Sequence, residues 1–128
     1  MKYLISVCLL FCAPFGFALG LGDASLETRL NEPLLVKIPV LSPGEITAEE
    51  LKVKIASDEI FKSQGVERTY IHSSLRTRVV QTGPGNWVVE VYTREPFKEA
   101  WINFLLDVRW PKGKLVKNVN LLLDLPKN

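Results

Sequence analysis

Trp101-Ile102-Asn103-Phe104-Leu105-Leu106-Asp107-Val108-Arg109-Trp110 decides the fold. Ile102, Phe104, Leu106, Val108 and Trp110 recur at every second position. That period puts them on one face of a β-strand, where a helix would need a period of 3.6. Trp101, Asn103, Leu105, Asp107 and Arg109 share the other face. A one-sided apolar stripe must meet another apolar surface, and a facing sheet supplies one. Downstream, Pro111-Lys112-Gly113-Lys114 turns the chain, and Val119, Leu121 and Leu123 complete a last strand before Pro126.

Upstream, the same alternation repeats. Leu75, Thr77 and Val79 alternate with Arg76, Arg78 and Val80. Thr82-Gly83-Pro84-Gly85-Asn86 reverses the chain into Trp87–Thr93, a segment dense in β-formers, so the two predict a hairpin closed by Arg94-Glu95-Pro96. Leu34, Val36, Ile38 and Val40 share a face, and Pro39, which cannot donate to a ladder, predicts an edge strand or a bend. Leu26, Thr28 and Leu30 predict a strand over 25–30. Ser42-Pro43-Gly44 is a turn signal. Thr47-Ala48-Glu49-Glu50 has the form of a capping box, yet Leu51, Val53 and Ile55 alternate with Lys52 and Lys54. One helical turn at most, then a strand over 51–56, is the expectation, with a longer helix as the minor alternative. Ser57–Gly65 predicts a short helix: Ser57 caps it, Asp58 and Glu59 favour its positive end, and Gly65 closes it. About seven strands at this spacing predict an all-β chain, an Ig-like β-sandwich with one short helix; a small β-barrel satisfies the same pattern.

The N-terminus predicts a compartment. Lys2 precedes an apolar run over residues 3–13, Pro14 breaks it, and Gly16-Phe17-Ala18 places small residues at the −3 and −1 positions of a cleavage site. This is the order of parts in a secretory signal peptide, so residues 1–18 are expected to be removed after Ala18 and residues 19–128 exported as one domain. The run is too short for a bilayer span of roughly 20 residues. An uncleaved anchor continuing through Leu21 is disfavoured by Pro14, Gly16 and Gly20. Lipoprotein processing at Cys12 is disfavoured by bulky Phe11. Both cysteines of the chain, Cys8 and Cys12, lie in the leader. The exported part therefore has no thiol for a disulfide, a nucleophile or a metal site. No second stretch is long and apolar enough to span a membrane, so no stable membrane span is expected after processing.

The formal net charge is +2, one unit of it on Lys2. Residues 19–128 are nearly neutral, and basic and acidic residues interleave. No global field draws nucleic acid or anionic lipid, and no nucleic-acid partner is expected. Catalytic patterns are equally thin. His72 is the single histidine and is expected as a solvated loop residue. No serine sits in a Gly-x-Ser-x-Gly elbow. Gly83-Pro84-Gly85 has no phosphate-loop lysine. The pairs Glu49-Glu50 and Asp58-Glu59 suit helix first turns. The expectation is a protein that is not an enzyme, with no cofactor and no metal.

Two groups of residues are candidates for partner binding. Lys52, Lys54, Arg76 and Arg78 build a basic stripe if their strands are neighbours; otherwise they are a solvated sheet face. Trp101, Leu105 and Tyr92 lie opposite the main apolar stripes, where aromatics serve recognition. The competing reading packs them beneath the loop at 94–99 or against the short helix.

Several blocks, in order, resemble the periplasmic N-terminal domain of the FimV/HubP family. They are Leu19-Gly20-Leu21-Gly22-Asp23-Ala24, Leu30-Asn31-Glu32-Pro33-Leu34, Leu41-Ser42-Pro43-Gly44-Glu45 and Glu50–Ser57. Arg94-Glu95-Pro96, Phe104–Leu115 and Leu121-Leu122-Leu123-Asp124 complete the series. The resemblance covers essentially all of residues 19–128 and implies a Gram-negative envelope protein. Family members are polar landmark proteins that support type IV pilus assembly, twitching motility and sometimes secretion machinery. Their peptidoglycan-binding LysM module, transmembrane helix and acidic cytoplasmic repeats have no counterpart within these 128 residues, so those activities do not carry over, and neither does any catalytic residue. The resemblance implies a periplasmic interaction or scaffolding module that docks on an envelope protein of a pilus or secretion apparatus. A peptidoglycan- or carbohydrate-binding sandwich using Trp101 and Tyr92 is the alternative, and an envelope hydrolase is the third reading.

Overall fold

The computed structural model describes residues 19–41, 46–47 and 49–125. The expected leader and the Ser42-Pro43-Gly44 turn lie outside these residues. Among the described residues, eight strands form two antiparallel sheets. In chain order they are β1 (Gly20–Leu21), β2 (Ser25–Leu26), β3 (Pro33–Leu41), β4 (Lys52–Ile55), β5 (Arg76–Gly83), β6 (Asn86–Pro96), β7 (Trp101–Trp110) and β8 (Gly113–Leu122). The first sheet runs β1-β3-β6-β5, with β2 also pairing β3; the second runs β4-β7-β8. With β1 and β2 sharing the place of the first strand, this is the strand order of a constant-type immunoglobulin sandwich. No barrel closes, because β4 and β5 belong to different sheets.

Period-2 patterning builds the core. Leu34, Val36, Ile38 and Val40 from β3 meet Val89 and Val91 from β6. Ile102, Phe104, Leu106 and Val108 from β7 face them, and all of these are buried. Trp110 ends the β7 stripe half-buried, and Val119 and Leu123 continue the core from β8 and the segment beyond it.

Pro39 is not at an edge, contrary to expectation, because β3 has neighbours on both sides. Its missing donor falls where the partner strand is broken. Residues 36–37 pair with β2, residues 40–41 pair with β1, and between them Gly22 N–H donates to Pro39 O at 2.8 Å. A strand residue directs its N and O to the same side, so the proline nitrogen faces the gap between β1 and β2, where no ladder bond is lost. A Cβ on Gly22 would lie 2.8 Å from Pro39 Cγ, which explains the glycine.

The strand expected over 25–30 is pared to Ser25–Leu26, although Leu26, Thr28 and Leu30 keep their inward alternation. A turn takes the rest: Arg29 N–H donates to Glu32 Oε1 at 2.8 Å, and Asn31 adopts φ +72°. The short β1 strand, Gly20–Leu21, carries no periodic signal of its own.

The capping box forms as expected. Thr47 N–H donates to Glu50 Oε1 and Glu50 N–H to Thr47 Oγ1, at 2.9 and 3.3 Å, and the chain then enters β4. Helix α1 (Asp58–Ser63) is capped by Ser57, whose Oγ accepts from Ile60 N–H, and Gly65 follows at φ +72°. Its Phe61 is buried against Leu105 and Ala56, in a small second cluster on the outer face of the β4-β7-β8 sheet.

Candidate functional site

Lys52, Lys54, Arg76 and Arg78 come together, though not within one sheet. β4 and β5 are the edge strands of opposite sheets and lie side by side, tied by the Thr77 hydroxyl donating to Val53 O at 2.8 Å. A groove of about 530 Å3 runs along this seam. Leu51, Val53 and Val79 supply its apolar surface. Lys52, Lys54 and Arg109 from one sheet and Arg78 from the other supply its positive charge, and Asp107 is the one carboxylate on its lining. A second depression continues the seam past Lys54 to Arg68 and Arg76.

Two of these cations have carboxylate partners. Arg78 Nε donates to Glu90 Oε1 at 2.5 Å, and its guanidinium lies 4.3 Å from the centre of the Tyr92 ring. The Glu90 hydrogen bond is the main cause that raises the Arg78 pKa above its already high ordinary value. Arg109 Nε donates to buried Asp107 Oδ1 at 3.1 Å. Among the described residues, Lys52, Lys54 and Arg76 form no ion pair within 4 Å. The register sets Lys52 directly opposite Arg109, an unfavourable cross-strand pair of like charges.

The aromatic candidates part company. Leu105 is fully buried beneath α1, against Phe61 and Ala56, so it is not a contact surface. The reason is tertiary: the helix folds back over the centre of the outer face of β7. Tyr92 is half-buried on the other sheet, under Arg78. Trp101 is 52% exposed. Its indole N–H donates to Asn120 Oδ1, and Asn103 Nδ2 donates to Asn118 Oδ1 at 2.6 Å, forming a short ladder of amides across β7 and β8. Beside Trp101 lies a cleft of about 400 Å3 with Glu67, Thr69, Glu99 and Asn103 on its walls. Trp101 and Tyr92 therefore do not share one surface.

His72 corrects another expectation. It sits in a short 3-10 turn, Tyr70–Ser74, and is buried, edge-on to Phe61 at 4.9 Å. Thr69 N–H donates to its Nδ1 at 3.0 Å, which leaves Nε2 to donate to Asn103 O at 2.7 Å. Ala56 N–H donates to Leu105 O, the last backbone rung between the β4 side and β7. Asn103 O is the next acceptor on that side, and the imidazole takes it. His72 is thus a structural rung.

Among the described residues, no group of three or more histidine, cysteine, aspartate or glutamate side chains gathers as a metal site. Nor is any helix there long and apolar enough to cross a membrane. The seam residues that the sequence reading missed are Arg109, Asp107 and Glu90. All three are visible as polar positions in alternating strands, but only the register pairs them with Lys52, Lys54 and Arg78.

No solved structure matches the chain. The Motility hub protein FimV from two strains of Pseudomonas aeruginosa is 36% identical over 108 residues. The match takes in 84% of this chain and only 12% of each relative, so the chain corresponds to a small part of their length. The family model of the FimV N-terminal Ig-like domain matches residues 19–126, which takes in both sheets and the seam. On that match, the chain belongs to the FimV N-terminal Ig-like domain family.

Proposed function

We propose that residues 19–128 form a non-catalytic interaction module of the periplasm. In this reading they are released from their leader after Ala18 and dock on a component of a type IV pilus or related envelope assembly. The observation that carries this is the match of the whole sandwich to the N-terminal domain of a motility hub protein. A hub joins other proteins, and an immunoglobulin-type sandwich offers faces and edge strands for that purpose. Affinity capture from the envelope fraction of a piliated Gram-negative cell is the test. Enrichment of a pilus or secretion-apparatus component over a charge-matched control protein is expected, and enrichment of none overturns the reading. Intact-mass measurement of the exported protein is expected to place its N-terminus at Leu19.

A second reading is supported by one observation: the exposed indole of Trp101, held by Asn120 beside a cleft with amide and carboxylate walls. This suits a sugar ring, which stacks on an aromatic face and exchanges hydrogen bonds with amides. Sedimentation with purified sacculi is expected to carry the protein down under this reading and to leave it in the supernatant otherwise.

A further inference from the structure

We infer that the β4–β5 seam is the docking groove of the module and that its occupant is an acidic, extended polypeptide segment with alternating apolar residues. The inference rests on the interaction-module reading and names the chemistry of the partner.

Charge complementarity carries it. Within a nearly neutral domain, Lys52, Lys54, Arg76, Arg78 and Arg109 converge on one seam, with Glu90 and Asp107 as their only carboxylate partners among the described residues. Lysines on an edge strand also serve to block sheet-to-sheet aggregation. That role does not call for three arginines beside them, nor for Lys52 set against Arg109 across β4 and β7. Asp107 already offsets Arg109 and stands opposite Lys54, which leaves Lys52 as the cation of this row that a partner's carboxylate would satisfy.

Shape and backbone add to this. Ala56 bonds to Leu105, so Lys52 and Lys54 direct their backbone groups to β7, while Val53 and Ile55 direct theirs to the β5 side. Thr77 already uses Val53 O in this way. β5 covers that edge, so an extended segment lies along the seam by its side chains and adds no strand. Its apolar side chains rest on Leu51, Val53 and Val79, and its carboxylates reach the exposed lysines and arginines at the rim. A polypeptide fits better than a membrane. Among the described residues, none of the large exposed apolar side chains, Leu41, Tyr70, Trp101, Val116, Leu122 and Leu125, lines the groove, so the groove itself offers nothing for insertion into lipid.

The test uses protein purified after expression of the full 128-residue sequence and titrated with a synthetic peptide of alternating glutamate and valine. Its lysine–valine counterpart is the control. Backbone NMR shifts are expected at residues 51–55, 76–79 and 107–109, with binding that weakens as salt rises. The triple variant Lys52→Glu, Lys54→Glu, Arg76→Glu changes exposed side chains and is expected to lose at least about tenfold in affinity, with a melting curve little changed because the carboxylate set opposite Arg109 offsets the one set opposite Asp107. Lys52→Gln with Lys54→Gln is expected to give a smaller loss in the same direction. Equal binding of the two peptides, shifts mapping elsewhere, or an unaffected triple variant overturns the inference. So does salt-sensitive binding to phosphatidylglycerol vesicles without binding to the acidic peptide, which would assign the seam to lipid. Envelope capture separates the two levels. If the wild type captures a pilus component and the triple variant captures it equally well, the groove is wrong and the module stands. If the peptide binds at the seam but no envelope component is captured, the module reading fails and the groove stands.

Discussion

The two faces of β7 are built from the same ten residues and have opposite histories of burial. On the inner face Ile102, Phe104, Leu106 and Val108 are all buried, because another sheet covers the whole length. The outer face changes along the strand. Trp101 is exposed, Asn103 half-buried, Leu105 and Asp107 buried, and Arg109 exposed again. Only the middle is covered: one short helix lies over Leu105, His72 reaches Asn103, and Asp107 is held by Arg109. A sheet buries a strand evenly, whereas a single helical turn makes a patch. The patch leaves both ends of the outer face free, one carrying Trp101 and the other joining the basic seam.

Phe104→Ala strikes the evenly covered face and should have the largest effect. The ring is fully buried between the sheets, so its loss leaves a cavity that rigid strands cannot close. A cost of about 4 kcal/mol is expected in denaturant unfolding, enough to threaten folding at 37 °C. Leu105→Ala, its neighbour on the other face, should cost about 3 kcal/mol. Leu105 is as fully buried as Phe104, but the helix above it has freedom to settle. Hydrogen exchange should show the difference: Leu105→Ala loosens α1 selectively, while Phe104→Ala lowers protection across both sheets. An equal, global loss of protection in both variants would mean that the two clusters are one cooperative core.

These pairs also show which features were legible in the chain. Strict alternation in β3, β5 and β7 announces strands and names their inner faces, while β6 is legible only as a segment dense in β-formers. The Ser57 cap and Gly65 announced α1 in the same way. Coverage from the outside was legible only as an alternative: packing against the short helix was one of two readings for Leu105, and the structure selects it. Nothing in Leu105 alone chooses the helix over the loop as its cover, and nothing in His72 records that its own turn carries the ring onto Asn103, 31 residues on. Leu105 and Trp101 have the same parity on β7 and opposite fates. The basic residues were recognisable as candidates, but their meeting depends on two strands of different sheets lying edge to edge, which no local period encodes. Pro39 follows the same logic: its edge-like chemistry is satisfied by a break in the neighbouring strand.

His72→Ala tests how the patch is anchored. The substitution deprives Asn103 O of its donor and removes the edge-on contact with Phe61. A cost of about 2 kcal/mol is expected, combining an unpaired carbonyl with lost aromatic packing. Exchange at Thr69 and along 70–74 should rise while the inner-face amides stay protected. No measurable destabilisation would mean that the backbone ladder closes without the imidazole and that the rung is dispensable.

Trp101→Ala should have the smallest effect, although it removes one of the two largest side chains on the strand. Half of the residue is in solvent already, and its one hydrogen bond goes to the exposed side chain of Asn120, which water can replace. The expected cost is within about 0.5 kcal/mol, as for surface positions without a structural role. The comparison is sharpest here, since Trp101 and Leu105 share a face four residues apart and differ only in what lies above them. A loss above about 1.5 kcal/mol would show that the indole packs as part of the fold, and the sugar-binding reading would lose its platform. An unchanged melting curve together with lost sedimentation on sacculi would instead mark Trp101 as a contact residue that binding needs and the fold does not.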